Sequence, residues 1–154
     1  MSKVPGTEDA KTIEPAEDYI LPFGKANIVK FANEEEVQKG RTLVVVTYGM
    51  GVYWALAAAK KLPGNVEILD LRTLAPYDQE AVYNLAKKHG KILVLTEETI
   101  TNSFAEALAG RISRDCFRHL DAPVQTLGSA DIPAVPLNMG MEAVMLPNAD
   151  KTYD

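Results

Sequence analysis

Several groups of residues in this chain are of a type and spacing that can do chemistry. The first is Gly49-x-Gly51, with Met50 between, set between an apolar run and a helical one. A helix N-terminus offers free amides and partial positive charge, so a glycine turn there can seat a phosphate or another small anion. The dinucleotide fingerprint needs a third glycine, and Trp54 stands in its place. Asp70 is the one candidate for a ribose-binding acid, with Arg72 as a local partner. A turn kept tight for packing is the competing reading. The second group is Glu97-Glu98, at the carboxyl end of a strand. Paired carboxylates do acid–base work or hold a metal. No His or Asp stands at ligand spacing beside them, and the competing reading is a solvated or interface loop. His89 falls at the end of a helix, where imidazolium suits the dipole, while His119 is expected to be exposed. Cys116 falls on an apolar helix face, as inert cysteine does, so no Cys116/His119 pair is expected. Arg111, Arg114 and Arg118 read as a solvated or interface face. Met139, Met141 and Met145 read as core filling or a partner surface.

These residues need elements to hold them. Leu43 to Val46 is a short β-branched run without charge, as a strand covered on both faces requires. Val52, Leu56 and Ala59 then recur at helical spacing, and Pro63-Gly64 ends the helix. Val66 to Leu71 is a second parallel strand. Asp78 caps a helix whose inner face is Val82, Leu85, Ala86 and His89, closed by Gly90. Lys91 to Thr96 is a third buried strand, followed by a loop from Glu97 to Asn102. Ser103-Phe104-Ala105-Glu106 has capping-box form. The helix it opens buries Ala105, Leu108, Ala109, Ile112 and Cys116. Pro123 to Gly128 is a last strand, and a short helical stretch lies near Glu142 to Met145. Before all this, Lys25 to Phe31 alternates like an edge strand, with no helix between it and the next strand, so it is free to run antiparallel. Asn33 to Gly40, with three glutamates, reads as a solvated loop. Strands alternating with helices predict an α/β domain with its sheet covered on both faces. Residues 1–18 lack periodicity and read as an extended arm or linker, which leaves 19–154 as the domain.

The chain of 154 residues, 47% apolar and 24% charged, suits a soluble globular domain. A net charge of −5 argues against nucleic acid, which wants a basic face. One cysteine excludes an internal disulfide and fits a reducing compartment. No apolar run approaches a bilayer span, and the first residues hold no signal-peptide core, so the expected location is the cytoplasm, away from membranes.

Asp70-Leu71-Arg72-Thr73-Leu74-Ala75-Pro76-Tyr77-Asp78 resembles the D-L-R-T-L-x-P-x-D signature of the transketolase C-terminal domain family. Within it, the sequence is most similar to beta subunits of the thiamine-dependent decarboxylating component of 2-oxoacid dehydrogenases, of pyruvate or branched-chain type. Pro22-Phe23-Gly24-Lys25-Ala26, Val46-Thr47-Tyr48-Gly49, Glu97-Glu98 with Phe104 and Glu106, and Leu146-Pro147-Asn148-Ala149 resemble further family segments, in family order. Thr101-Asn102-Ser103 departs from the pattern, which has glycines there. The resemblance implies a three-layer α/β/α domain with a five-stranded mixed sheet, in strand order 1-3-2-4-5. That order puts Gly49 to Gly51 and Glu97 to Asn102 at a switch-point crevice. It implies a non-catalytic domain that supports subunit association. The partners would be other domains or subunits of the enzyme in a homo- or hetero-oligomer, with the acyltransferase core's binding module as a further one. Thiamine diphosphate and magnesium would be held elsewhere, since no G-D-G motif occurs here. Because the family chain continues as a helix after L-P-N-A, the resemblance also implies a piece of a longer chain. A free-standing module binding a small regulatory ligand in the crevice is the alternative, and an independent Glu97/Glu98 enzyme a third reading.

Overall fold

The computed structural model describes residues 13–134 and 136–154. The first twelve residues of the expected arm lie outside the described residues, and residues 13–18 carry a turn but no helix or strand. Five strands form one sheet in the order β1-β3-β2-β4-β5. They are β1 (Asn27–Lys30), β2 (Leu43–Thr47), β3 (Val66–Asp70), β4 (Ile92–Thr99) and β5 (Gln125–Ser129). The edge strand β1 runs antiparallel to β3, with a register shift between Ile28 and Lys30, and the other pairings are parallel. The fold is therefore the expected mixed sheet in the expected order.

Alternation along the strands divides the core. Val44, Val46, Leu69 and Val94 face α3 (Gln79–His89) and α4 (Phe104–Asp115), where Val82, Leu85, Leu108 and Ile112 meet them. Val45, Ile68 and Leu95 face α2 (Met50–Ala59) through Trp54, Ala55 and Ala59. The buried face of α2 is wider than Val52, Leu56 and Ala59 alone. Gly51, Trp54, Ala55 and Ala58 are buried as well, and Leu56 only partly. α2 is apolar nearly all round because α6 (Ala149–Tyr153) packs against it. The inner faces of α3 and α4 match their sequence pattern residue by residue.

Four local expectations are corrected. Asn33 to Gly40 is not a plain loop: α1 (Glu34–Gln38) forms there, because Asn33 Oδ1 accepts from Glu35 N–H at 2.8 Å and three glutamates fill its first turn. β4 does not end at Thr96 but runs to Thr99, because Thr99 pairs with Ser129 after an irregularity in the ladder. His89 closes α3 on its buried face, as the spacing predicts, but at 3% exposure burial disfavours the imidazolium form expected at a helix C-terminus. The tail folds further than expected, with α5 (Met139–Met145) capped by Asn138 and α6 capped by Asn148.

Candidate functional site at the carboxyl ends of the strands

At its carboxyl end β2 delivers Tyr48 and then turns at Gly49, whose φ of 57° and ψ of −131° lie where other residues rarely go. α2 starts at once, and its N-cap glycine offers no side-chain acceptor. Gly51 lies inside the first turn, against the sheet. A Cβ added there would overlap Thr47 Oγ1 and lie 3.4 Å from Leu95 Cγ. The turn is thus tight for two separate reasons, a left-handed backbone at Gly49 and close packing at Gly51.

Beside it in the sheet, β4 delivers Glu98. Its Oε1 accepts from Tyr48 O–H at 2.9 Å and from the Phe104 amide at 2.9 Å. Tyr48 Oη also shares a 2.7 Å hydrogen bond with Thr96 Oγ1. Burial pushes the Tyr48 hydroxyl up to about 12; Thr96 pulls it back and Glu98 adds to the rise. The Phe104 ring stands edge-on to Tyr48, centroids 6.0 Å apart, and edge-on to Tyr77 at 6.0 Å. The carboxylate and the rings therefore tie the β2–α2 turn to the start of α4.

The sequence candidates separate here. Gly49, Glu98 and Phe104 come together through Tyr48, a residue the chemical reading passed over although it flanks the turn. Met50 packs toward the opposite core, against the Trp54 cluster. Glu97 is exposed, and neighbours along a strand point to opposite faces, so Glu97 and Glu98 are not a paired acid and base. Asn102, with a φ of 60°, shapes the loop, and its amide donates to Glu106 Oε2 at 2.8 Å. Ser103 caps α4 through Glu106 N–H at 3.0 Å. The capping box is thus displaced, with Glu106 taking the amide before the cap residue rather than the cap's own. Asp70 Oδ1 accepts the backbone N–H of Arg72 at 3.0 Å, while the Arg72 guanidinium reaches Tyr19 Oη at 2.6 Å.

Glu98 stands where an external anion would sit at the start of α4, a site favoured by the helix dipole. The D-L-R-T-L-A-P-Y-D stretch is spent internally in the same way. Thr73 Oγ1 accepts from Gly24 N–H at 2.9 Å. Asp78 caps α3 with one oxygen and takes Ala26 N–H at 3.1 Å with the other. The motif therefore docks the segment that enters β1. A separate cavity of about 80 Å³ between α2, the sheet and α6 is lined mainly by aliphatic side chains. Among the described residues, no group of three His, Cys, Asp or Glu is placed to hold a metal ion, and no helix is long and apolar enough to cross a membrane.

Comparison with known proteins agrees with this architecture. Over 140 residues the chain is 40% identical to the 2-oxoisovalerate dehydrogenase subunit beta of Bacillus subtilis (strain 168), covering 89% of this chain and 40% of that protein. Over 141 residues it is 33% identical to the pyruvate dehydrogenase E1 component subunit beta of Rhizobium meliloti (strain 1021), covering 90% of this chain and 29% of that one. The chain thus spans two fifths or less of these curated relatives. A split gene transketolase, solved as an inactive beta4 tetramer, shares the fold with a TM-score of 0.68 at 18% identity, over 90% of this chain and 43% of that chain. The family model for the transketolase C-terminal domain matches residues 33–152, from the cap of α1 into α6, and the chain belongs to that family.

Proposed function

We propose that this domain is the non-catalytic assembly unit of a thiamine-dependent 2-oxoacid dehydrogenase's decarboxylating component, of pyruvate or branched-chain type and cytoplasmic. The observation that carries the reading is apolar surface left uncovered. Phe23 is 80% exposed, and Phe31, Leu137, Met139, Met141 and Val144 are likewise open to solvent. Phe23 and Phe31 flank β1 at one edge of the sheet, and the other four lie at α5, beyond β5 at the opposite edge; exposed apolar surface of this kind marks faces that meet partners. In this reading thiamine diphosphate and magnesium are held by other domains or subunits, and this one supports their association. Sedimentation velocity and titration calorimetry test it. Concentration-dependent association with a dye-binding surface is expected, with no heat on adding thiamine diphosphate and magnesium. A strict monomer without such a surface, or micromolar cofactor binding, overturns it.

One observation favours a second reading, a regulatory anion bound in the crevice: the start of α2 has no side-chain cap. In that case a small phosphate compound would shift the amide resonances of Gly49 to Val52, and an assembly domain would show no such shift.

A further inference from the structure

At the opposite pole, where β2 and β3 begin, a carboxylate is buried. Glu67 of β3 is 1% exposed. Its Oε2 has three neighbours: Lys88 Nζ at 3.0 Å, Ala32 N–H at 3.3 Å and His89 Nε2 at 3.3 Å. Its Oε1 has no hydrogen-bond partner, and His89 Nε2 makes no well-aligned bond. On the far side of the imidazole, Nδ1 lies 2.7 Å from Thr42 Oγ1. Lys88 also reaches Glu34 Oε1 on α1 at 3.2 Å. Four segments thus meet at one oxygen or one step from it: the Ala32–Gln38 stretch, the start of β2, β3, and the end of α3.

These contacts assign the protons. Glu67, ion-paired with Lys88, presents a carboxylate to His89, so the ring nitrogen facing it, Nε2, carries the hydrogen. Nδ1 then accepts from the Thr42 hydroxyl. The charged groups facing the ring are Glu67 from β3, Lys88 from α3 itself and Glu34 from α1. Burial holds the ring's affinity for a second proton below the ordinary value; Glu67 pulls against this and Lys88 adds to it.

We propose that Glu67, Lys88 and His89 form an acid-sensitive latch on α1, in which a proton taken up by His89 displaces Lys88 from Glu67 and loosens the Ala32–Gln38 segment. The second proton goes to Nδ1, and the Thr42 hydroxyl turns round to accept from it. Two cations then face one buried carboxylate. The His89 side chain is fully buried and cannot leave, whereas the Lys88 side chain is 29% exposed on a flexible stem. Lys88 swings to water and no longer ties Glu34 to the sheet. As Glu67 turns toward the imidazolium, Ala32 N–H loses its acceptor.

Because the folded state holds the proton less tightly than the unfolded chain, this contribution to stability is complete above the free imidazole value of about 6.5 and is lost as pH falls below it. Nitrogen-15 spectra of the imidazole, amide-exchange protection at Ala32 and denaturant unfolding, each from about pH 7 to pH 5, test the latch. His89→Gln is the control variant, since an amide can still donate to Glu67 and accept from Thr42. Expected are a neutral ring with its hydrogen on Nε2 at pH 7 and falling protection at Ala32 in acid. The unfolding constant should rise several-fold more across this range than in His89→Gln. A ring already charged at pH 7, a hydrogen on Nδ1, steady protection at Ala32, or an equal acid loss in His89→Gln overturns the proposal. The spectra need only the unaltered protein, so they decide even if the variant misfolds.

Discussion

Glu98 at the carboxyl end of β4 and Glu67 at the start of β3 each accept hydrogen bonds from several donors through a single oxygen. Their surroundings differ. Glu98 is exposed, so water reaches whatever the protein leaves unbonded. Glu67 is 1% exposed, and its second oxygen has no partner. A carboxylate at a switch-point crevice invites a functional reading, yet here it braces a turn against a helix at little energetic cost. The carboxylate at the other pole has no place in any motif, yet it carries the larger burial penalty, because desolvating a charge is expensive unless every lone pair is answered.

The sharpest way to break this contrast is Glu67→Ala. It removes the acceptor for Ala32 N–H and the partner of Lys88 and His89 together. Loss of one member of a buried ion pair destabilises by roughly 3–5 kcal/mol. The lower end, about 3 kcal/mol, is expected because Lys88 can reach solvent. The check is the urea midpoint at neutral pH with an unchanged slope. A loss below about 1 kcal/mol would place Glu67 among ordinary surface charges and erase the difference between the poles.

Gly51→Ala comes next, at the crevice. An alanine there starts with an advantage in helix propensity of up to about 1 kcal/mol. The overlap of its Cβ with Thr47 Oγ1 outweighs this, since overpacking a core costs about 1–3 kcal/mol. Net destabilisation is expected, and most of it should vanish in a Thr47→Ala background, where the colliding oxygen is gone. An additive double variant would mean that the glycine serves some other need than space.

Much of the fold was legible because its signals are local. The buried runs of β2, β3 and β4 lie in unbroken sequence. Asp78 and Ser103 cap helices whose donors stand three residues on. The inner faces of α3 and α4 follow from period alone. What escaped depends on partners distant in sequence. Thr99 extends β4 only because Ser129 pairs with it. α2 is apolar all round only because α6 covers it. His89 was placed on the inner face of α3, but its partners were not, because Glu67 comes from β3 and Thr42 from the residue before β2. One signal was present: a lone acid inside Val66 to Leu69, a run otherwise suited to burial on both faces, needs a cation or imidazole to answer it. α1 was missed for a different reason. Its cap and acidic first turn are plain in the sequence, but its four glutamate and glutamine side chains leave no apolar face for a periodicity argument.

Glu98→Gln probes the crevice side of the comparison and should have the smallest effect. The amide oxygen can still accept from Tyr48 O–H and Phe104 N–H, and the lost charge is solvent-exposed, so stability at neutral pH should fall by no more than about 1 kcal/mol. The informative change is in the titration of Tyr48. Burial is the first cause of its rise to about 12, and Glu98 is the smaller contributor that the variant removes. Tyr48 should therefore titrate lower in Glu98→Gln but still above a free phenol. A phenol that holds its proton more tightly when folded stabilises the fold below the unfolded value of about 10 and loses that contribution as pH rises toward 12. The unaltered chain should thus lose stability across that alkaline window, and the variant should lose less, over a narrower span. Resolving Tyr48 by ring-selective labelling separates it from the other tyrosines. If its titration does not move in Glu98→Gln, the 2.9 Å contact carries no charge coupling. Glu98 would then be a surface carboxylate lying near the turn rather than one that braces it.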